Sequence, residues 1–280
     1  MTETINLTAA IQYVTEHGTI LERARLLYLL MGEPPALESY KKLIDSQRAD
    51  GGFPSRPKIE TPSAVDSTLT ALWQFEELGM MDSDYARRAF DFLRAMQQPD
   101  GGLDENPTLP EHDLPPWIVP GELSTRLYLT TYAAYWFGLV QGPADPAFSR
   151  AVAFVASHQR ADGAIPGYLH NNWLGASAFL LASGGGYAQE TEKILAYLLA
   201  LPATEWADSQ ISWALDCLSR AGLPQEHPFI RFALAELIRR QAADGSWASE
   251  DGPAFAASAT VGAISVMKRL GLLGGLEDWG

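Results

Sequence analysis

QAADGSW, Gln241 to Trp247, has three weaker copies upstream: QRADGGF from Gln47, QQPDGGL from Gln97 and QRADGAI from Gln159. Each reads Gln-x-x-Asp-Gly-small-apolar, and successive copies start 50, 62 and 82 residues apart. The last interval has room for one degenerate copy, and LPATEWAD around Trp206 is the natural place for it. Asp-Gly makes a tight turn because glycine accepts positive φ. The Gln amide has donors and an acceptor with which to tie that turn to a neighbouring backbone. Self-similarity at such spacing marks a repeat architecture.

Working outward, each copy follows one amphipathic helical segment and precedes another, with apolar residues at i, i+3 and i+4 and hardly any strand-like alternation. Segments at about 5–17, 36–46, 83–97, 146–159, 188–200 and 227–241 carry frequent charges and read as outer helices. Segments at about 19–31, 65–79, 124–141, 171–184, 208–222 and 256–272 alternate with them, the later ones rich in Ala, Ser, Thr and Gly. Being apolar nearly all round, they read as inner helices. Asp66, Ser124, Asn172, Asp208 and Ser258 are the residues placed to cap inner helices. Six outer and six inner helices predict an all-α (α/α)6 toroid that takes up residues 1–280 as one domain. Its inner-helix starts would face one end of a cavity. The longest loop, Asp100 to Leu123, lies before one of those starts, and a loop of that length inside a compact domain is usually functional or mobile.

The composition, 47% hydrophobic and 19% charged, fits a globular chain. No apolar run reaches the roughly 18 residues of a membrane span, and the polar start MTETINLTAA is unlike a secretory leader. A cytoplasmic location is therefore expected. The single Cys217 excludes an internal disulfide and a multi-cysteine zinc site. A net charge of −14 with a pI near 4.7, and no basic cluster to reverse it locally, argues against nucleic acid as a partner.

QAADGSW resembles the QW motif of the squalene cyclase and class II terpene cyclase superfamily, and ADSQISWALDCLSRAG, residues 207–222, is similar to an inner-helix stretch of the same proteins. The resemblance spans about residues 40–272. It implies protonation-initiated cyclisation of an isoprenoid chain or prenyl diphosphate in an apolar cavity. In that family an Asp-x-Asp-Asp motif supplies the proton from its middle Asp, and AVDST, Ala64 to Thr68, is the best match. Asp66 takes the middle position, while Ala64 and Ser67 replace the flanking carboxylates. Two readings of Asp66 stay open, general acid and helix N-cap. Under the first, Glu122 and His170, near neighbouring inner-helix starts, would tune or relay its proton.

Aromatic walls stabilise a passing carbocation through the ring quadrupole. Trp117, Tyr128, Tyr132, Trp173, Trp206 and Trp213 are the candidates, with Asp208 as a polar neighbour and ordinary core packing as the alternative for each. No cofactor is required by this chemistry, and Mg²⁺ enters only with a diphosphate substrate. Many class II cyclases complete their site with a second helical domain, so the resemblance also admits a partner chain that completes the cavity, or a non-catalytic toroid that binds an isoprenoid or a protein.

Other chemistries fit less well. Prenyltransferase β subunits hold zinc with Asp, Cys and His, but adjacent Asp216 and Cys217 point to opposite sides of a helix. Lanthionine-forming cyclases need two Cys. A glycosidase pair such as Glu122 with Asp66 or Asp208 arises easily by chance among 34 acidic residues. EHD, Glu111 to Asp113, and LDEN, Leu103 to Asn106, read as solvated loop charge. GGG, Gly184 to Gly186, lacks the strand and Lys of a phosphate loop.

Overall fold

A computed structural model describes residues 5–55, 61–109, 114–182 and 184–273. Its α-helices, in chain order, are α1 (Leu7–His17), α2 (Ile20–Met31), α3 (Leu37–Asp45), α4 (Val65–Glu77), α5 (Asp84–Met96), α6 (Leu123–Trp136), α7 (Pro146–Ser157), α8 (His170–Leu181), α9 (Ala188–Ala200), α10 (Asp208–Arg220), α11 (Pro228–Arg239) and α12 (Ala256–Arg269). All twelve expected helical segments are present. Extended structure among the described residues is a two-residue ladder, β1 (Phe53–Pro54) antiparallel to β2 (Ser63–Ala64), and a Gln97–Leu103 bridge.

Two compact units divide the chain: Met1–Tyr40 with Leu199–Gly280, and Lys41–Leu198. In the first, α10 packs on α11 and α12, and α12 on α1 and α2. Its buried side chains include Val14, Ile211, Leu215, Phe229, Leu237, Trp247 and Ile264. In the second, α6 packs on α7 and α8, and α4 on α5 and α6. Leu69, Leu72, Phe75, Phe90, Leu127, Tyr135, Trp136, Phe148 and Trp173 are buried there. The inner helices α6 and α8 are buried almost all round, as their uniform apolarity requires.

The repeat turns staple helix to helix by one recurring set of bonds. Gln47, Gln97, Gln159 and Gln241 each donate from Nε2 to the turn's own Gly carbonyl, at 2.9–3.0 Å. Each also donates to the start of another outer helix: to Tyr85 O, Ala147 O, Glu190 O and Asn6 O. Asp50, Asp100, Asp162 and Asp244 accept from the amide two residues on, closing the turn. The last residue of each turn donates its N–H to an inner helix: Phe53 to Thr68, Leu103 to Thr130, Ile165 to Asn172 and Trp247 to Thr260, at 2.8–3.1 Å. One turn thus satisfies buried backbone groups and joins two helices. At the expected degenerate copy, Arg240 does the stapling instead, donating to Trp206 O and Ala203 O.

The stapling explains a displaced expectation. Asp66, Ser124, Asn172, Asp208 and Ser258 all lie one to three residues inside their helices, whose N-caps are Ala64, Glu122, Leu169, Ala207 and Phe255. Asn172 accepts the staple bond from Ile165, and Ser258 accepts from Arg25 at 3.0 Å. Thr130→Val keeps the shape of the side chain but leaves the buried Leu103 N–H without its acceptor. It is expected to cost about 1–3 kcal/mol in urea unfolding. An unchanged midpoint would show that the staple adds no stability.

Candidate functional site

The site is built within Lys41–Leu198, where the starts of α4, α6 and α8 are tied together. Asp66 is the second residue of α4 and is half-buried. The N-cap, Ala64, has no side chain that can accept the free N–H groups of the first turn. Glu105 does so from the loop after the second repeat turn. Its Oε1 accepts from Val65 N at 2.6 Å and its Oε2 from Asp66 N at 3.1 Å. A carboxylate there meets the positive end of the helix dipole. Glu105 is 2% exposed, so burial pushes its carboxyl up to about 7. The amides of Val65, Asn106 and Asp66 oppose that rise and the charge of Asp66 adds to it.

Neighbouring residues lock this loop in place. Leu103 is stapled to Thr130 on α6. Asp104 accepts from its neighbour Glu105 N at 2.8 Å and from Gly121 N, just before α6, at 3.0 Å. Asn106 donates from Nδ2 to Ser63 O, just before α4, at 3.1 Å. Arg126 on α6 is paired with Asp100 at 2.8 Å and stands 3.9 Å from Asp104. Its guanidinium holds the Asp100 carboxyl below the usual carboxylate range. Onward to α8, a Cβ at Gly167 would lie 2.9 Å from Asn171 Nδ2 and 3.4 Å from Ser124 Cα. That turn is thus seated against the start of α6.

An aromatic cluster links the middle of α6 to the start of α8. The Tyr128 ring centroid is 6.1 Å from Tyr132, 6.0 Å from Tyr168 and 6.0 Å from His170, and His170 lies 4.7 Å from Trp173. Tyr132 and Trp173 are buried, while Tyr128, Tyr168 and His170 are half-buried. Four of the expected residues, Tyr128, Tyr132, His170 and Trp173, therefore form one cluster, and Tyr168 joins them. Glu122 is the exposed N-cap of α6, and Trp117 sits on the short Pro116–Ile118 turn, 39% exposed.

The other three expected residues belong to the Met1–Tyr40 and Leu199–Gly280 unit. Trp206 is buried, 5.7 Å from Phe229. Asp208 accepts from Ala248 N at 3.0 Å and from Arg240 at 3.2 Å, a structural tie between the α10 start and the last repeat turn. Trp213 is half-buried in α10. Asp216, buried, pairs with Arg220 at 2.8 Å and Arg269 at 3.0 Å. Among the described residues no group of three His, Cys, Asp or Glu side chains is arranged to hold a metal ion. The Glu111–Asp113 stretch lies outside the described residues.

The LDEN reading is corrected at one residue. Glu105 is a buried helix-capping carboxylate, whereas the stretch had been read as solvated charge. Glu105 was discoverable: it lies two residues past Leu103, the stapled end of a repeat turn, where the chain cannot yet leave the inner-helix starts. Composition of the loop alone hides this.

Comparison with solved structures gives the fold class. The apo type II terpene cyclase MstE from Scytonema aligns with a TM-score of 0.64, covering 95% of this chain and 98% of that one at 16% identity. A variant of that cyclase in complex with geranylgeranyl dihydroxybenzoate as substrate aligns at 0.64, covering 95% and 97%, again at 16% identity. A protein from Actinoplanes aligns at 0.60, covering 93% and 98% at 18% identity. The chain thus has a terpene-cyclase-like, all-α toroid fold. No family model and no curated protein matches the sequence, and no described helix is long and apolar enough to cross a membrane.

Proposed function

We propose that this chain is a class II terpene-cyclase-like protein that starts cyclisation of an isoprenoid chain by protonating it from Asp66. The observation that supports the reading is the carboxyl site at the α4 start, where the backbone N–H of half-buried Asp66 donates to the buried Glu105. A carboxylic acid strong enough to protonate an alkene must be shielded from water and keep its proton until the substrate arrives. The Tyr128, Tyr132, Tyr168, His170 and Trp173 cluster supplies π faces for a carbocation. Its hydroxyls and imidazole offer acceptors for the proton lost when the cation collapses. Glu122 and His170 remain in the proposal as groups that tune or relay protons, and Trp117 as a substrate contact. No metal is needed for proton transfer; Mg²⁺ would serve a diphosphate head group through its phosphate oxygens.

The test is incubation of the purified chain with squalene, with farnesyl and geranylgeranyl diphosphate, and with geranylgeranyl dihydroxybenzoate, the last chosen because MstE is seen with it. Reactions run with and without Mg²⁺ and are read by mass spectrometry and NMR of the products. A cyclic isomer of one substrate is expected, with Asp66→Asn reducing its rate by at least about 100-fold. Turnover that survives Asp66→Asn would remove Asp66 from the acid role.

A second reading, a non-catalytic binding toroid or one half of a partner-dependent cyclase, is favoured by α2. Ile20, Leu27 and Met31 are 67%, 52% and 46% exposed and, at i, i+7 and i+11, share one helix face. It predicts prenyl-chain binding or co-purification of a partner without turnover by the chain alone.

A further inference from the structure

We propose that Thr70 and the Trp73 ring form the seat for the hydrocarbon end of the isoprenoid chain, Thr70 setting how the chain lies below Asp66 and Trp73 setting how deep it goes. The identity of the chain rests on the cyclase reading. The seat itself is read from packing.

Along α4, the residues four, seven and eleven positions after Asp66 are Thr70, Trp73 and Glu77. At 3.6 residues per turn they lie within about 40° of its direction, whereas Phe75, nine positions on, points about 180° away. The Phe75 ring packs 5.7 Å from Phe53 on β1 and 6.4 Å from Tyr85 on α5, and Leu72, Phe75 and Leu78 are buried. The Asp66 face is thus the one turned away from α5. It is also the open one. Asp66 and Trp73 are half-buried and Thr70 is exposed, in the middle of a helix whose opposite face is packed.

The open stretch at Thr70 is closed below by a braced ring. Trp73 stacks 6.4 Å from Tyr135 at an interplanar angle of 29° and meets Trp136 edge-on at 5.6 Å and 72°. Tyr135 and Trp136, on α6, are buried, so the indole is backed by side chains that cannot give way. Tyr135 comes seven positions after Tyr128 and shares its face of α6. The cluster around Tyr128 and the rings around Trp73 are therefore two aromatic tiers of one wall, about 10 Å apart along the helix.

Chemistry selects the occupant. Between Asp66 and Glu77 this stripe of α4 carries no charge: it offers the Thr70 methyl group and the Trp73 indole, and no cation that could hold a diphosphate or carboxylate head group. Apolar chain gains by leaving water against such a surface. The end of the substrate without the head group is thus the end that fits. Thr70 stands about 6 Å and Trp73 about 10 Å beyond Asp66 along the axis, so an alkene held beside Asp66 has a short run of chain left before the indole stops it.

The experiment is calorimetric binding of two probes, farnesol and geranylgeraniol, to the full chain and its variants. Thr70→Phe fills an exposed position, so the urea midpoint should stay unchanged while both alcohols bind at least about 10-fold more weakly. Thr70→Ser, which adds no bulk, should bind as the wild type does. Trp73→Leu lowers the stop and should shift the ratio of the two affinities at least about threefold toward geranylgeraniol. If Thr70→Phe does not fold, Thr70→Leu, a smaller addition, is read in the same way. Wild-type affinity in the bulky Thr70 variant, an unmoved ratio in Trp73→Leu, or a wild type that binds neither alcohol overturns the proposal. Binding that shifts as stated in a chain that turns over none of the substrates above would sink the cyclase reading and leave the seat standing. Turnover that depends on Asp66, with binding indifferent to both substitutions, would do the reverse.

Discussion

Gly245→Ala is expected to lower the unfolding free energy by about 2–5 kcal/mol, more than Gly32→Ala, although both positions have positive φ. Gly245 has φ +89° and Gly32 φ +71°, so an L-residue at either costs roughly 1–2 kcal/mol of backbone strain. The difference lies in what a methyl group meets. At Gly32 a Cβ finds nothing within 4 Å. At Gly245 it would stand 2.3 Å from Ala9 C and 2.4 Å from Ala10 N, the backbone of the first turn of α1. Backbone held in a helix cannot yield as a side chain can, and forced overpacking adds roughly 1–3 kcal/mol. The same collision recurs at Gly51 with Arg88 O at 2.2 Å, and at Gly101 and Gly163 with Arg150 O and Lys193 O at 2.5 Å. The repeat Gly is thus fixed twice over, by its dihedral angle and by the outer helix laid against it. Urea unfolding of the two variants decides the point. Equal costs for Gly245→Ala and Gly32→Ala would mean that the outer helix moves aside and that the close approach is incidental.

The repeat made the fold legible because its residues act locally and identically four times. Gln supplies two bonds, Asp one and Gly one dihedral, and the first two intervals between copies, 50 and 62 residues, leave room for one helical hairpin. The helix starts were harder to read. Asp66 and Asp208 both stand where a cap of an inner helix is expected, with the general-acid reading also open for Asp66. In the structure Asp208 binds Ala248 N and Arg240, while the cap of α4 comes from Glu105, 39 residues downstream of Asp66. Periodicity and propensity carry no information about a bond between residues so far apart. The aromatic cluster was read through helix starts, which is why Tyr128, Tyr132, His170 and Trp173 were found. Tyr168 was missed because it lies just before α8, in a turn that the helical pattern does not register.

Glu105 also has a thermodynamic consequence that requires no substrate. Its carboxyl is pushed from an ordinary 4.5 to about 7 by burial, with the Asp66 charge adding to the rise against the lowering effect of the Val65, Asn106 and Asp66 amides. Between pH 4.5 and 7 the folded chain therefore keeps a proton that the unfolded chain has released. Stability falls as pH rises through that window, because the folded state binds the extra proton, and is level above it. A shift of that size amounts to about 3 kcal/mol, undiscounted for solvent screening because the group is buried. Other carboxylates titrate in the same range, and several of them, Asp100, Asp145 and Glu236 among them, are held low by arginine or backbone partners and push the total slope the other way. The quantity to measure is therefore a difference: the unfolding free energy of the wild type minus that of Glu105→Gln, from urea melts at steps between pH 4.5 and 8. Glutamine keeps one acceptor for the α4 amides and cannot ionise, so the other groups cancel. The wild type should lose about 3 kcal/mol relative to the variant across the window and nothing further above pH 7.5. A difference that is flat with pH would mean that Glu105 is ionised throughout, with the helix dipole and its amides outweighing burial.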